Sequence, residues 1–172
     1  MPMSPYMMIE GEKQGLITGG ACTADSIGND YVEEHADEFL VLGFDHQVTL
    51  PRDPRSGKPT GTRVHQPFVV TKAFDKSSPL LYNALTSGEN LPTCEMRWYR
   101  TSTMGTLENY FTMKLEDAII VDIRAYMPNV QDPGNASYTH LETVSLAYRK
   151  IEWTHEICGT TGEDDWRAPK KD

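Results

Sequence analysis

The feature that most limits what this chain can become is alternation, because along most of its organised length apolar and polar residues exchange places at every second position. That rhythm belongs to strands with one buried and one wet face. Leu40, Leu42, Phe44, His46, Val48 and Leu50 share one side and Asp45, Gln47 and Thr49 the other, which predicts one strand about ten residues long. Phe68 to Phe74 predicts a partner rich enough in Val and Phe to be buried on both faces. Thr93 to Thr103 predicts another, joined through the turn Met104-Gly105-Thr106 to a strand that begins near Glu108. Asn109, Phe111, Met113 and Leu115 set one alternation, and Ile119, Val121, Ile123 and Ala125 set the next, so two strands are expected there. In the last strand Val144, Leu146 and Tyr148 hold one phase and Ile151 and Trp153 the opposite one. A phase change at Arg149-Lys150 implies a bulge or a strand leaving one sheet for another, the kind of bend that closes a barrel.

Only one stretch carries helical punctuation. Ser77 or Ser78 stands where a cap belongs, Pro79 suits the first turn, Leu81, Ala84 and Leu85 form an apolar stripe, and Gly88 suits the stop. So short a helix is marginal alone and is expected to lean on the sheet through Leu81 and Leu85. The expected fold class is therefore mainly β with one short flanking helix, in a single domain over 1–172.

Two segments fall outside any periodic pattern. Pro51 to Pro67, PRDPRSGKPTGTRVHQP, combines four prolines with four basic residues and is expected to be an extended loop with a role of its own. Met127 to Ser137 is an ordinary connector in the same vocabulary. From Gly159 the tail is polar apart from Trp166, and is expected either to fray or to be pinned by that one ring.

Charge and composition narrow the partners. A net charge of −9 and a pI near 5.0 provide no positive field for a phosphate backbone, so nucleic acid is not expected as a partner. Mean hydropathy is −0.50, and no apolar run approaches the ~20 residues a membrane span requires. The opening MPMSPYMMIEGEKQG lacks the basic start and apolar core of a signal peptide, so export would need dedicated machinery. Cys22, Cys94 and Cys158 form no close pair and are expected as reduced thiols of a protein made in the cytosol.

Searches for chemistry return little. There is no GxSxG elbow and no HExxH, and Ser56-Gly57-Lys58-Pro59-Thr60 lacks the leading glycine and one amide donor of a phosphate loop. Glu33, Glu34, His35, Asp37 and Glu38 are dense in ligating atoms but do not follow calcium-loop spacing. His46 is expected as a hydrogen-bonded histidine in or near the core. His155 and Cys158 are three apart, yet surrounded in sequence by carboxylates that oppose a reactive thiolate. Asn135-Ala136-Ser137 fits a glycosylation acceptor without a secretory signal to accompany it. No catalytic residue, cofactor or metal is expected, and the protein is not expected to be an enzyme.

Taken in order, several blocks resemble one family. YMMIEGEKQGLITGG with SIGN at Ser26 to Asn29, FDHQVTLPRDPRSGKPTGTRVHQPF, DKSSPLLYNAL, RWYRTS, HLETVSLAYRKIEWTH and GEDDWRAP are similar to successive blocks of the Hcp family, the tube protein of bacterial type VI secretion systems. The resemblance implies a compact β-barrel of two sheets related to phage tail tubes, with homo-hexameric rings stacked into a tube. It also implies a contractile sheath around that tube, a VgrG spike at its tip, and effector proteins carried in the lumen. Localisation would be the bacterial cytoplasm before firing and the exterior afterwards. Some relatives carry a fused C-terminal enzymatic domain, and with the chain ending at Asp172 none is expected here.

Within that frame the prolyl loop is the expected contact between copies, through Arg52, Asp53, Arg55, Lys58, Arg63 and His65, in contacts that salt would weaken. Six copies at −9 each repel, so stacking is expected to depend on local complementary patches. The competing expectation is a secreted small-molecule- or glycan-binding barrel with a pocket supplied by Trp98, Tyr99 and Tyr110.

Overall fold

The computed structural model describes residues 3–167. In chain order its strands are β1 (Tyr6–Gly11), β2 (Gly15–Leu16), β3 (Phe39–Leu40), β4 (Gly43–Asp45), β5 (Val48–Thr49), β6 (Val64–His65), β7 (Phe68–Ala73), β8 (Leu91–Thr101), β9 (Leu107–Tyr126), β10 (Leu141–Ala147), β11 (Lys150–His155) and β12 (Thr160–Asp165). One turn of helix, α1 (Ala24–Ile27), follows β2, and α2 (Ser78–Ser87) follows β7. Every strand pairing is antiparallel.

Two sheets meet in β9. Its first half pairs with β8 and β11, and β8 in turn pairs with β1, while its second half pairs with β10, which leads to β7 and β4. The two strands expected between Asn109 and Tyr126 are thus one strand that serves both sheets. It changes sheets around Asp117, a non-glycine residue at φ 50, where the short polar side chain tolerates a left-handed backbone. A second irregularity falls between Ser145 and Leu146, whose partners are Asp122 and Ile120. The skipped Val121 shifts the phase, so Ile120 is buried while Ile119 and Val121 face outward, opposite to the expected face.

The chain crosses between the sheets a second time where predicted. β10 belongs to one sheet and β11 to the other, with buried Tyr148 and then Arg149 at the crossing. Arg149 bolts the two crossings together, since its Nε donates to Asp117 Oδ2 at 2.8 Å, its Nη1 pairs with Asp165, and its backbone N–H donates to Glu116 O.

A third crossing corrects the longest expected strand. Phe39 and Val41 are buried, Leu42 is exposed, and Phe44 and His46 turn inward, so the inward phase changes at Leu42-Gly43. The segment is accordingly three short strands, β3 on β1, β4 on β7 and β5 on β6, and Leu42, Val48 and Leu50 lie on the surface. Hydrogen bonding does not close the ladder into a ring, and this segment spans the gap between the two sheets.

The core between the sheets is built from Met7, Ile9, Phe39, Phe68, Val70, Leu91, Met96, Leu115, Leu146 and Ile151, with Leu81 and Ala84 of α2 laid against them. Strand β7 alternates, with Phe68, Val70 and Lys72 inward, in place of burial on both faces. Helix α2 starts and stops where expected, Gly88 adopting φ 65 and donating to Ala84 O and Leu85 O. Neither serine caps it with its side chain. Ser77 Oγ donates to Asp75 Oδ1, whose carboxylate also accepts the Ser77 N–H at 2.8 Å, and Ser78 turns inward to Glu142. Of the two expectations for the tail, the pinned one holds, because Trp166 is held by its indole, and β12 pairs with β11 besides; residues 168–172, the end of the GEDDWRAP block included, lie outside the described residues.

One close approach makes a test. A Cβ on Gly11 would sit 2.0 Å from Glu89 Oε2, the buried oxygen that accepts the Gln14 N–H. Gly11→Ala is expected to lower the unfolding free energy by about 1–3 kcal/mol, read as a shifted urea midpoint at unchanged slope.

Candidate functional site

The prolyl segment is an ordered arm. β5 and β6 open it, with Val48 opposite His65 and Thr49 opposite Val64, and a bridge between Arg52 and Pro59 continues it. Its tip is a closed turn, in which Asp53 N–H donates to Lys58 O, Gly57 N–H donates to Asp53 O, and the Asp53 carboxylate accepts from Arg55 N–H and Ser56 Oγ. Those donors hold the Asp53 carboxyl below its ordinary range, the Arg55 amide contributing most. Two hairpin arms joined by such a turn need few residues from outside. No strand of the two main sheets pairs with the arm, and residues 54–62 are exposed.

The six expected contact residues divide into two groups. Arg52, Arg55 and Lys58 stand exposed on the arm, in no ion pair among the described residues, with Asp53 tying the turn between them. Arg63 and His65 face the protein. Arg63 Nε donates to Asp164 Oδ2 at 2.6 Å and its Nη2 donates to Asp165 O at 2.9 Å. His65 is buried, with Nε2 2.7 Å from the same Asp164 oxygen, Nδ1 2.6 Å from the Tyr148 hydroxyl, and its ring stacked on Trp166. Trp166 Nε1 donates to Tyr148 O. These two residues anchor the base of the arm to β12 and to the Tyr148 crossing.

Anchoring continues through His46, whose Nε2 lies 2.7 Å from the Tyr148 hydroxyl. The carboxylate of Asp164 requires a proton on His65 Nε2. With His65 neutral, its Nδ1 then accepts from the Tyr148 hydroxyl, which accepts in turn from His46 Nε2–H. Burial raises the Asp164 carboxyl, but hydrogen bonds from Arg63 and His65 outweigh that and hold it below its usual range. Tyr148 is pushed up, by burial first and by the Asp164 charge second. His46 is lowered from 6.5, by burial first and then by His65, against a smaller opposing effect of Asp45. A lowered histidine means that the folded state binds fewer protons than the unfolded chain, so its contribution is intact above about pH 6.5 and is lost as pH falls toward the folded value. Thermal midpoints are therefore expected to drop between pH 7 and pH 5, and His46→Gln, which keeps a donor for Tyr148, is expected to flatten that part of the curve.

The other candidates do not assemble into chemistry. His35 is stacked on Tyr6 at 3.8 Å, with Nδ1 toward Glu38, so the YVEEHADE histidine is packing. His155 Nδ1 accepts from the Cys158 backbone N–H and not from its thiol. Cys22 and Cys94 are buried, and burial raises the Cys94 thiol. Among the described residues no three His, Cys, Asp or Glu side chains are placed to hold a metal. Trp98 packs on Phe44, Tyr99 on His35 and Tyr110 under Arg100, so these three aromatics do not converge on one cavity. No helix among the described residues is long and apolar enough to cross a membrane.

What the fold and this site define is a two-sheet β protein whose most elaborate polar network holds a projecting basic arm. The family described as "Type VI secretion system effector, Hcp" matches residues 6–155. The "Major exported protein" of Pseudomonas aeruginosa is 63% identical over 169 residues, covering 98% of both chains. A crystal structure of an Hcp protein superposes with a TM-score of 0.92 at 52% identity, covering 96% of this chain and 99% of that one. The secreted protein Hcp3 from Pseudomonas aeruginosa gives 0.80 at 55% identity, covering 95% and 99%. The chain belongs to the Hcp family of type VI secretion proteins.

Sequence reasoning located the arm but placed all its basic residues in one role. The anchoring half was missed because Asp164 lies 101 positions from Arg63. The one available signal was the aromatic Trp166 beside Asp164 and Asp165 in an otherwise polar tail.

Proposed function

We propose that this protein is a non-catalytic building block of the type VI tube: six copies close into a ring and rings stack into a hollow cylinder. A sheath encloses the cylinder, a VgrG spike tips it, and effector proteins travel in its lumen. The protein waits in the bacterial cytoplasm and leaves with the tube. The observation that carries this is the arm, an ordered projection whose exposed Arg52, Arg55 and Lys58 side chains are in no ion pair among the described residues. Exposed apolar residues support it, since Ile119 and Val121 on β9 and Val130 and Tyr138 in the following connector are surface that a neighbouring copy can cover. Native mass spectrometry with negative-stain imaging tests the reading. Six-fold rings are expected at micromolar concentration, and a monomer under all conditions overturns it in favour of the ligand-binding barrel.

A further inference from the structure

The base of the arm holds a chain of groups that can pass protons to one another. Asp164 Oδ2 lies 2.7 Å from His65 Nε2, His65 Nδ1 lies 2.6 Å from the Tyr148 hydroxyl, and that hydroxyl lies 2.7 Å from His46 Nε2. The two histidines stand on opposite legs of the arm, since His46 precedes β5 and His65 ends β6. Tyr148 belongs to neither leg and sits buried at the crossing from β10 to β11. One residue of the body thus fastens both legs.

The legs are fastened unequally. The return leg has further ties to the tail, through Arg63 Nε to Asp164 Oδ2, Arg63 Nη2 to Asp165 O, and the Trp166 ring stacked on His65. On the outgoing leg the His46 side chain makes no second hydrogen bond among the described residues, and its other neighbours are the rings of Phe44 and Phe68. The charged groups around the chain are Asp164 and Arg63 at one end and Asp45 beside His46 at the other, with Asp165 beyond Arg63 paired to Arg149.

Counting protons shows how this chain responds to acid. With both histidines neutral, each hydrogen between Asp164 and His46 has one acceptor. One added proton is absorbed by reversal: His65 donates from both nitrogens, to Asp164 and to the Tyr148 oxygen, and the hydroxyl turns to donate to His46 Nε2, whose own proton moves to Nδ1. A second proton leaves no such arrangement. Both rings then aim an N–H at one oxygen, the hydroxyl hydrogen has no acceptor between them, and two cations face each other across it. His65 keeps its carboxylate, so the link that yields is the one from His46 to Tyr148.

We propose that His46, Tyr148 and His65 form a proton-operated latch: the second proton detaches His46, and the arm, then held to the body by Arg63 and His65, swings on its return leg. The latch is a property of the single chain and does not depend on how copies assemble.

Two measurements on the full chain test it, with circular dichroism and sedimentation velocity at each pH to show that folding and association are constant. In the first, the ring resonances of isotope-labelled histidines are followed by NMR from about pH 8 to about pH 4.5. His46 and His65 are each expected to show both inflections, because each senses the other's proton through Tyr148, and in Tyr148→Phe each is expected to show one. In the second, a nitroxide is placed on Ser56→Cys in a Cys158→Ser background, where Cys22 and Cys94 are buried from the reagent. The mobile fraction of its spectrum is expected to rise by up to about tenfold per pH unit below about pH 6.5, and to stay flat in His46→Gln, which keeps a neutral donor on Tyr148. Histidines that titrate independently in the parent protein, or an arm tip whose mobility ignores the titration of His46, overturn the latch. Both of those results are read without substituting His46 or Tyr148, so a variant that folds poorly leaves the decision intact.

Discussion

Lys72→Ala is expected to destabilise the fold by about 3–5 kcal/mol, the cost of leaving a buried carboxylate without its cation. Lys72 and Glu142 are both fully buried, face each other across the β7–β10 pair, and lie 2.5 Å apart. The ammonium donates to Glu142 Oε1, Ser78 Oγ and Ala73 O, pairs with Asp75, and sits over the Phe39 ring. Glu142 Oε1 also accepts from Ser78 Oγ, but its Oε2 has no partner. Removing the lysine therefore strands the fully buried Glu142 carboxylate and takes the cation from Asp75, and the helix start at Ser77-Ser78 loses what it hangs on. Replacing the pair together by Lys72→Met and Glu142→Leu removes both charges, so the double variant is expected to be clearly more stable than Lys72→Ala and close to the parent protein. Urea unfolding of the three proteins decides; equal losses in the single and double variants would show that the cost is packing and not charge.

The same pair shows why some of the core could not be read from the sequence. Alternation assigns faces without saying which face is wet, and a lysine in FVVTKAF reads as the wet one although Lys72 points inward beside Phe68 and Val70. Its partner lies 70 positions away, beyond any local pattern. The ten-residue strand failed for a related reason. Leu40 to Leu50 keeps its period of two while the chain moves from β1 to β7 and then to β6, so the pattern runs on through a change of sheet. Between Arg149 and Lys150 the crossing was legible because there the apolar phase itself breaks. Helix α2 was legible from Pro79, Leu81 and Gly88, whose conformational limits act locally. In general, what neighbours in sequence enforce was readable, and what distant residues enforce through a shared buried contact was not.

The arm's anchor obeys that second kind of constraint, and Trp166→Ala is the substitution expected to expose it. The indole stacks on His65 at 5.6 Å and donates to Tyr148 O, and the residue's backbone N–H donates to Arg149 O. Truncation removes the ring that covers the His65–Asp164 contact and admits water to a hydrogen-bond chain running from Arg63 to His46. Trp166 is only partly buried, so the loss falls below that of a core tryptophan, about 2 kcal/mol. If that loss acts on the arm and not on the whole protomer, it corresponds to about a thirty-fold rise in the population with the arm released. Limited trypsin digestion reads that population directly, because Arg52, Arg55 and Arg63, none of them followed by proline, all lie on the segment. Cleavage there is expected to accelerate by about that factor while the urea midpoint of the protein moves little. Faster cleavage matched by an equal loss of global stability would mean that Trp166 serves the core and leaves the arm to hold itself.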